Sequence, residues 1–242
     1  MTALRSALFL VWFALVTVAM HLAALPLLLA PRQAVMHAAR LWSRLVLWGA
    51  KIFAGLSFEV RGEEHIPTGA SLVASKHQSM WETLALVLLL RDPAIVIKRE
   101  LAALPLYGWF ARKAEMIPVD RDGGPGAVRT LRKAAQRALS LRRQLVIFPE
   151  GTRRSPGAPP DYKPGVAALY TLAQLPCVPV AHNSGLFWTK FLKHPGTITL
   201  EFLPPIAARL GRDAFMTELQ ETIEDASNRL LDEGCRRTAN EK

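Results

Sequence analysis

Short apolar segments alternate with longer amphipathic ones from residue 57 onward. The short segments have the length and composition of buried strands, and the segments between them carry apolar residues at helical spacing. The predicted strands are residues 57–61, 72–75, 94–98, 116–119, 145–148, 178–181 and 197–202. The predicted helices are residues 82–90, 126–141, 166–173 and 215–231. This alternation predicts an α/β domain with a largely parallel sheet flanked by helices.

The N-terminal part of the chain follows a different pattern, with long apolar segments that contain basic residues and no acidic ones. Residues 7–30 carry no charge and are long enough to cross a bilayer, which takes about 20 residues, although His21 and Pro26 interrupt them. Residues 33–55 combine apolar side chains at near-helical spacing with basic ones, which predicts a helix lying at a membrane surface. The two segments together predict a membrane-associated pair of helices.

The first segment either spans the bilayer or enters one leaflet, and the sequence leaves both possibilities open. A cleaved signal peptide and a buried core hairpin are the alternatives to a membrane anchor. Lysine and arginine beside apolar helices indicate the cytoplasmic face of the cell (inner) membrane. We therefore predict membrane-anchoring helices over residues 1–55 and an α/β domain over residues 56–242.

The charge of the chain narrows the classes of partner. The 242 residues carry a formal net charge of +10, which suits nucleic acid, anionic lipid or a phosphorylated substrate. The basic residues of the α/β domain lack interleaved aromatic residues and a recognition motif, which argues against nucleic acid. Cys177 and Cys235 have neither metal-ligand nor redox spacing, so we expect no metal site.

His77 and Glu82 form the first candidate for chemistry, just after the predicted strand at residues 72–75. Histidine takes up a proton near neutral pH, and a carboxylate beside it can fix its tautomer and stabilise the imidazolium. Positions five apart in one helix lie about 140° apart around the axis, so the pair needs His77 in the turn and Glu82 in the helix. The alternative is a surface histidine near a helix N-terminus with an acid favoured by the dipole, and spacing alone favours it.

Further segments carry groups suited to phosphate. Residues 148–154 combine a glycine that permits a tight turn with a hydroxyl donor and guanidinium groups. Another basic residue follows the predicted strand at residues 116–119, and a lysine ends the strand at residues 94–98. The residues concerned are Gly151, Thr152, Arg153, Arg121 and Lys98. An ordinary strand-to-loop turn with solvated arginines is the alternative for residues 148–154, and a simple lysine in a helix-cap region is the alternative for Lys98.

Together these segments resemble the glycerolipid acyltransferase family, of the bacterial 1-acyl-sn-glycerol-3-phosphate acyltransferase (lysophosphatidic acid acyltransferase) type. Four motifs in the family's order are similar to residues 77–82, 117–121, 148–153 and 178–180, and the resemblance covers about residues 60–205. The chain departs from the family's pattern at two positions. Glu82 stands where the family usually has aspartate, and Lys76 stands where asparagine is common.

The resemblance implies an enzyme that transfers a fatty acyl group to the sn-2 hydroxyl of 1-acyl-glycerol-3-phosphate, giving phosphatidic acid. In that case His77 is the general base and Glu82 orients it. The glycerol phosphate is bound by a set of residues in which Lys98 is the weakest candidate. That set is Arg121, Glu150, Gly151, Thr152, Arg153 and Lys98. Glu150 itself is expected to receive a hydroxyl or to brace an arginine.

The resemblance also implies the partners of the enzyme. These are the membrane phospholipid bilayer, lysophosphatidic acid, and acyl-CoA or acyl carrier protein as the acyl donor. No cofactor is expected, because a thioester is already activated for transfer. Two alternatives accompany this prediction. One is acylation of glycerol 3-phosphate or of another lysolipid, such as a lyso-aminolipid, and the other is an inactive basic lipid-binding membrane protein.

Overall fold

The structure is a computed structural model that describes residues 1–120 and 124–240. Within those ranges, seven strands form one sheet in the order β1-β7-β6-β2-β5-β3-β4. The strands are β1 (Leu56–Arg61), β2 (Ser71–Ser75), β3 (Pro93–Lys98), β4 (Ile117–Val119), β5 (Gln144–Ile147), β6 (Cys177–His182) and β7 (Gly196–Phe202). Neighbouring strands are parallel except β6 and β7, which are antiparallel. The prediction of a largely parallel α/β sheet is therefore confirmed.

Helices connect the strands and cover both faces of the sheet. They are α1 (Thr2–Ala23), α2 (Arg32–Gly49), α3 (Trp81–Leu89), α4 (Arg99–Ala103), α5 (Tyr107–Lys113), α6 (Gly124–Ser140), α7 (Gly165–Ala173), α8 (Ser184–Phe187) and α9 (Arg212–Asn240). The helices α4, α5 and α8 were not predicted, because they are too short to show a helical period in the sequence. The last helix was predicted to end too early, because α9 continues to Asn240 through a polar segment whose apolar spacing is weak.

The central strands are buried on both faces, which explains their nearly continuous apolar sequences. In β2, Val73 belongs to the apolar cluster that includes residues of α1, α2 and α3. Its neighbours Leu72 and Ala74 point to the opposite face and pack with residues of α6, α7 and α9. The sheet is thus a middle layer between two layers of helices. The loops that follow the parallel strands lie at its carboxyl edge.

The helices α1 and α2 pack on each other and on the α/β layers. The indole nitrogen of Trp12 donates to the carbonyl of Leu45 at 3.0 Å, and that of Trp42 donates to Thr17 Oγ1 at 3.1 Å. Phe9 is buried and meets the ring of Trp188 edge-on, at 5.2 Å between centroids. The division of the chain between residues 55 and 56 stays a prediction, since α1 and α2 share one apolar cluster with the sheet.

One helix of the described chain, α1, is long and apolar enough to cross a membrane, with a mean hydropathy of 2.0. Such a helix near an N-terminus also occurs as a signal sequence or as a core helix. Its outward side exposes a row of large apolar residues at helical spacing. The row consists of Leu4, Leu8, Val11, Leu15, Val18 and Leu22. An exposed apolar row of this length is typical of a helix that contacts lipid.

Candidate active site

The candidate site lies where several strands end at one edge of the sheet. Because β2, β5 and β6 run parallel, their carboxyl ends meet there, as in other α/β domains. His77 follows β2, Glu150 follows β5, and Ser184 follows β6. The fold therefore brings together three segments that are far apart in the sequence.

His77 and Glu82 form a hydrogen-bonded pair, with 2.7 Å between Nδ1 of the histidine and Oε1 of the glutamate. His77 lies in the turn after β2, and Glu82 lies in the first turn of α3. This is the arrangement that their five-residue spacing requires. The glutamate side chain is long enough to reach the imidazole, so replacing the family's usual aspartate leaves the contact intact.

A capping box turns the Glu82 carboxylate back toward His77. Ser79 Oγ accepts the backbone N–H of Trp81 at 3.0 Å, and Glu82 Oε1 accepts the backbone N–H of Ser79 at 2.9 Å. Serine followed three residues later by glutamate is the sequence signature of this motif, in which the two side chains satisfy free N–H groups at a helix start. The local fold of residues 77–82 therefore sets the direction of the carboxylate.

Glu82 is fully buried, and hydrogen bonds surround its carboxylate. The hydroxyls of Ser79 and Ser184 donate to Oε2 at 2.7 Å and 3.1 Å. Burial raises the pKa of Glu82, but the histidines His182 and His77 and the hydroxyl of Ser79 outweigh burial and lower this pKa to about 2. The site thus holds a carboxylate that is ionised throughout the physiological range.

His182 is a second buried histidine in the site, at the end of β6. Its Nε2 donates to the carbonyl of Lys76 at 2.8 Å, and its Nδ1 accepts the backbone N–H of Ser184 at 3.3 Å. Burial lowers the pKa of His182, and a neutral ring satisfies both contacts. We infer that His182 has a structural role beside the pair, because both of its ring nitrogens form hydrogen bonds with the backbone.

His77 itself is held on three sides. Its ring stacks on Phe148 with 4.2 Å between centroids, and its carbonyl accepts the backbone N–H of Arg154 at 2.8 Å. Its own backbone N–H donates to Glu150 Oε2 at 2.9 Å. With Nδ1 bound to Glu82, Nε2 is the ring nitrogen that can take a proton from a substrate.

Glu150 is fully buried beside His77 and Lys76. Its Oε1 lies 2.8 Å from the ammonium of Lys76, which also binds Glu224 of α9 at 2.6 Å and 2.9 Å. The sequence analysis expected Glu150 to receive a hydroxyl or to brace an arginine. The side chain that contacts Glu150 is a lysine and not an arginine, because Lys76 points into the interior from the end of β2, and receipt of a hydroxyl stays a prediction. Substrate binding by Glu150 stays a prediction.

The other predicted phosphate-binding residues lie on loops at the same edge of the sheet. Thr152 and Arg153 are exposed, and Gly151 has the left-handed φ of 65° that its turn requires. Lys98 is exposed at the end of β3, with its ammonium 3.4 Å from Glu100. Arg121 lies outside the described residues. The phosphate-binding roles of all five stay predictions.

Several residues of the site escaped the sequence analysis. The capping-box signature at residues 79–82 was visible and would have pointed to Ser79. A polar triplet that ends an apolar strand, at residues 182–184, was a weaker signal for His182 and Ser184. Nothing in the sequence indicated Glu224, because it lies on a long helix that carries several other acidic residues.

Comparison with known proteins identifies the family of the chain that carries this site. The sequence model described as Acyltransferase matches residues 57–183. The chain belongs to the acyltransferase family. The matched range contains His77, Glu82 and Glu150, whereas Ser184 and Glu224 lie outside it.

This acyltransferase is similar in sequence to enzymes of two distant organisms. It is 36% identical over 185 residues to the 1-acyl-sn-glycerol-3-phosphate acyltransferase of Pseudomonas aeruginosa, covering 76% of this chain and 72% of that protein. It is 34% identical over 170 residues to the 1-acyl-sn-glycerol-3-phosphate acyltransferase alpha of Mus musculus, covering 68% of this chain and 60% of that protein. The acyltransferase is therefore an O-acyltransferase by class, which removes the non-enzymatic alternative.

The fold of the acyltransferase is also found in a solved structure. The crystal structure of the 1-acyl-sn-glycerophosphate (LPA) acyltransferase of Thermotoga maritima matches with a TM-score of 0.76 at 18% identity. The match covers 95% of this chain and 99% of that one, so the likeness includes the N-terminal helices as well as the sheet.

Proposed function

We propose that this acyltransferase transfers a fatty acyl group from a thioester to the sn-2 hydroxyl of 1-acyl-sn-glycerol-3-phosphate, with His77 as general base. The observation that carries the proposal is the 2.7 Å contact between His77 Nδ1 and a buried Glu82 carboxylate. The choice of acceptor is supported by the relatives in Pseudomonas aeruginosa and Mus musculus, which are named for this substrate.

The proposed chemistry is a direct transfer with one proton relay. The hydroxyl of the acceptor attacks the thioester carbonyl, and His77 Nε2 takes the hydroxyl proton as the new C–O bond forms. An alcohol is a far weaker acid than imidazolium, whose ordinary pKa is about 6.5, so proton transfer accompanies the attack. The C–S bond then breaks, and the imidazolium returns the proton to the leaving thiolate.

Glu82 has two tasks in this scheme. It keeps Nδ1 in the protonated form, so that Nε2 faces the substrate, and its negative charge stabilises the imidazolium of His77. The hydrogen bonds from Ser79 and Ser184 hold the carboxylate in place. Since these donors are already oriented before substrate arrives, little reorganisation is needed during the reaction.

The acceptor phosphate is proposed to bind near the segments of the chain that follow β3, β4 and β5. Arg121 and Arg153 offer guanidinium groups, Thr152 offers a hydroxyl, and Lys98 offers an ammonium. Gly151 permits the turn that presents Thr152, and Glu150 supports the same loop from inside through its contact with Lys76. Either acyl-CoA or acyl carrier protein is proposed as the acyl donor, without a cofactor.

The protein is proposed to lie on the cytoplasmic face of the inner membrane, with α1 in the plane of the membrane surface. Near one end of α1, Ser6 Oγ accepts the backbone N–H of Lys193 at 2.8 Å. Near the other end, His21 meets Phe110 at 5.3 Å between ring centroids. These two contacts are about 22 Å apart along the helix axis. If α1 spanned a hydrocarbon core of about 30 Å, both contacts would lie within the lipid, and so would the part of the α/β domain that forms them.

The test is an acyl-transfer assay with radiolabelled acceptors in detergent micelles, using both thioester donors. The panel contains lysophosphatidate, glycerol 3-phosphate and a lyso-aminolipid, so the preferred acceptor is measured directly. His77→Ala should abolish transfer while the helical content and membrane association stay unchanged. His65→Ala, a histidine of the same domain outside the site, is the matched control. Near-normal turnover of His77→Ala would contradict the base assignment, and preference for another acceptor would contradict the substrate.

Arg121→Ala tests the phosphate site separately. The variant should raise KM for lysophosphatidate with a smaller effect on the KM of the acyl donor, because a guanidinium lost from a phosphate site weakens ground-state binding. An effect confined to the donor would contradict the proposed role.

A further inference from the structure

A buried cluster of charged residues lies directly behind the catalytic turn, outside the catalytic pair. The side chain of Lys76 is 3% exposed and lies between two carboxylates, that of Glu150 at 2.8 Å and that of Glu224 at 2.6 Å. The hydroxyl of Tyr162 donates to Glu224 Oε1 at 2.9 Å. The four residues come from the end of β2, the loop after β5, the segment before α7, and α9.

The cluster is electrically unbalanced. It combines the single positive charge of Lys76 with the two negative charges of Glu150 and Glu224. Burial raises the pKa of the Tyr162 hydroxyl, so the tyrosine stays a neutral donor. Buried ions are costly unless they are paired and hydrogen-bonded, and removing one member of such a group leaves its partners uncompensated. The position of each carboxylate therefore depends on Lys76.

The cluster is connected to the catalytic histidine through the backbone. Glu150 uses one carboxylate oxygen for Lys76 and the other for the backbone N–H of His77, at 2.9 Å. Lys76 is also the residue directly before His77 in the chain. The Lys76 ammonium is therefore linked to the backbone of His77 both through Glu150 and through the chain itself.

We propose that Glu224 of α9 is a positioning residue for acyl transfer, acting through Lys76 and Glu150 on the backbone of His77. Glu224 binds Lys76 with both carboxylate oxygens, and α9 is packed against β6 and β7 over much of its length. The last helix thereby fixes the ammonium, the ammonium fixes Glu150, and Glu150 holds the His77 N–H. The inference rests on the proposed function in one respect, the role of His77 as base.

The sharpest test is a double-mutant cycle of Lys76→Met and Glu224→Gln. Lys76→Met leaves the buried carboxylate of Glu150 and the partly buried one of Glu224 without their shared cation, and we expect kcat to fall at least about 100-fold. Glu224→Gln alone keeps an acceptor for Lys76, and we expect a loss of about threefold to tenfold in kcat with KM for the lysolipid unchanged.

The combination of the two changes should restore part of the activity lost in Lys76→Met. In the double variant only the Glu150 carboxylate remains, and the amide of Gln can donate to it in place of the ammonium. We therefore expect the double variant to be about tenfold more active than Lys76→Met alone. Additive losses in kcat would overturn the inference, because a residue that supports only α9 has no reason to rescue a change at Lys76.

A second measurement reports on the backbone directly. With 15N-labelled histidine, the exchange rate of the His77 amide should rise in Glu224→Gln, since its acceptor Glu150 is less firmly held. Glu221→Gln removes an exposed glutamate one turn earlier on the same helix and should leave the exchange rate and kcat unchanged. An unchanged His77 amide in Glu224→Gln would overturn the proposed route, and this variant keeps the test decisive if Lys76→Met fails to fold.

The assay of His77→Ala separates the two levels of failure. If His77→Ala keeps its activity, the proposed function fails, whatever the cycle shows. If His77→Ala is inactive and the cycle is additive, only the positioning role of Glu224 is wrong. Non-additive rescue together with an inactive His77→Ala supports both.

Discussion

The carboxylate of Glu82 binds Nδ1 of His77 at 2.7 Å while the backbone N–H of Ser79 donates to the same oxygen at 2.9 Å. One oxygen thus serves both the contact with His77 and the cap of α3. The start of the helix and the orientation of the imidazole are therefore set by the same atom, and a change in the length of this side chain affects both.

Glu82→Asp should lower kcat although it restores the residue that the family usually has. The shorter side chain moves the carboxylate by about one bond length, so it cannot keep both His77 Nδ1 and Ser184 Oγ within hydrogen-bond distance. We expect a loss of about tenfold to 100-fold in kcat/KM, measured in the acyl-transfer assay. Glu100→Asp, an exposed glutamate at the start of α4, should behave like the unchanged protein. Full activity of Glu82→Asp would show that the backbone of α3 readjusts.

Ser184→Ala and Ser79→Ala should differ in stability more than in activity. Each removes a hydroxyl that donates to Glu82 Oε2, so each should lower kcat by about threefold to tenfold. Ser79 also caps α3 by accepting the N–H of Trp81, and loss of a cap costs about 1 kcal/mol. Urea unfolding should therefore show a larger loss for Ser79→Ala. Equal losses of stability would contradict the capping role.

The stability of the protein should depend on pH through Glu82. Its pKa is lowered from 4.5 to about 2, so the folded state favours the ionised form. The stabilisation is complete above the unfolded-state pKa and is lost as pH falls toward the folded-state pKa. The shift corresponds to about 3 kcal/mol. The free energy of unfolding should fall more steeply with decreasing pH in the unchanged protein than in Glu82→Gln, which does not titrate. Parallel pH profiles would contradict the lowered pKa.

The titration of His182 should add a second pH dependence at higher pH. Burial lowers its pKa below the ordinary 6.5, so below that value the unfolded state binds more protons than the folded state. Stability should therefore fall as pH decreases from about 6.5, and His182→Asn should remove this component while Glu82→Gln keeps it. The measurement is the same set of unfolding curves, taken between about pH 7.5 and pH 5. If the stability of His182→Asn still falls over this pH range as it does in the unchanged protein, a group other than His182 causes the fall and the prediction is wrong.

The exposed row of α1 should govern binding to lipid vesicles. A buried leucine contributes about 1.5–3 kcal/mol, and each 1.4 kcal/mol is a factor of ten in affinity. Leu8→Glu with Leu15→Glu should therefore weaken co-sedimentation with anionic vesicles by at least about 100-fold. Leu141→Glu, an equally exposed leucine that follows α6, is the matched control. Unchanged sedimentation of the α1 variant would mean that this face does not contact the membrane.

The predicted strands and the longer predicted helices agree with the structure to within a few residues at most ends. Their sequences carry a strong local signal, because strands buried on both faces are continuously apolar and α3, α6 and α7 have a helical period. The helices α4, α5 and α8 are shorter than the window in which such a period appears. The charged C-terminal part of α9 is helical in the structure, where Leu230 is buried and Arg229 pairs with Glu201 at 2.7 Å.

The contact between His77 and Glu82 could be anticipated because it lies within six consecutive residues, whose turn and capping box are encoded locally. The partners of the pair could not. Glu150 is 73 residues from His77, Ser184 is 102 residues from Glu82, and Glu224 is 148 residues from Lys76. These contacts depend on the order and register of parallel strands and on the path of α9, which no local pattern contains. The local sequence allowed the contact between His77 and Glu82, and tertiary packing decided what holds that pair in place.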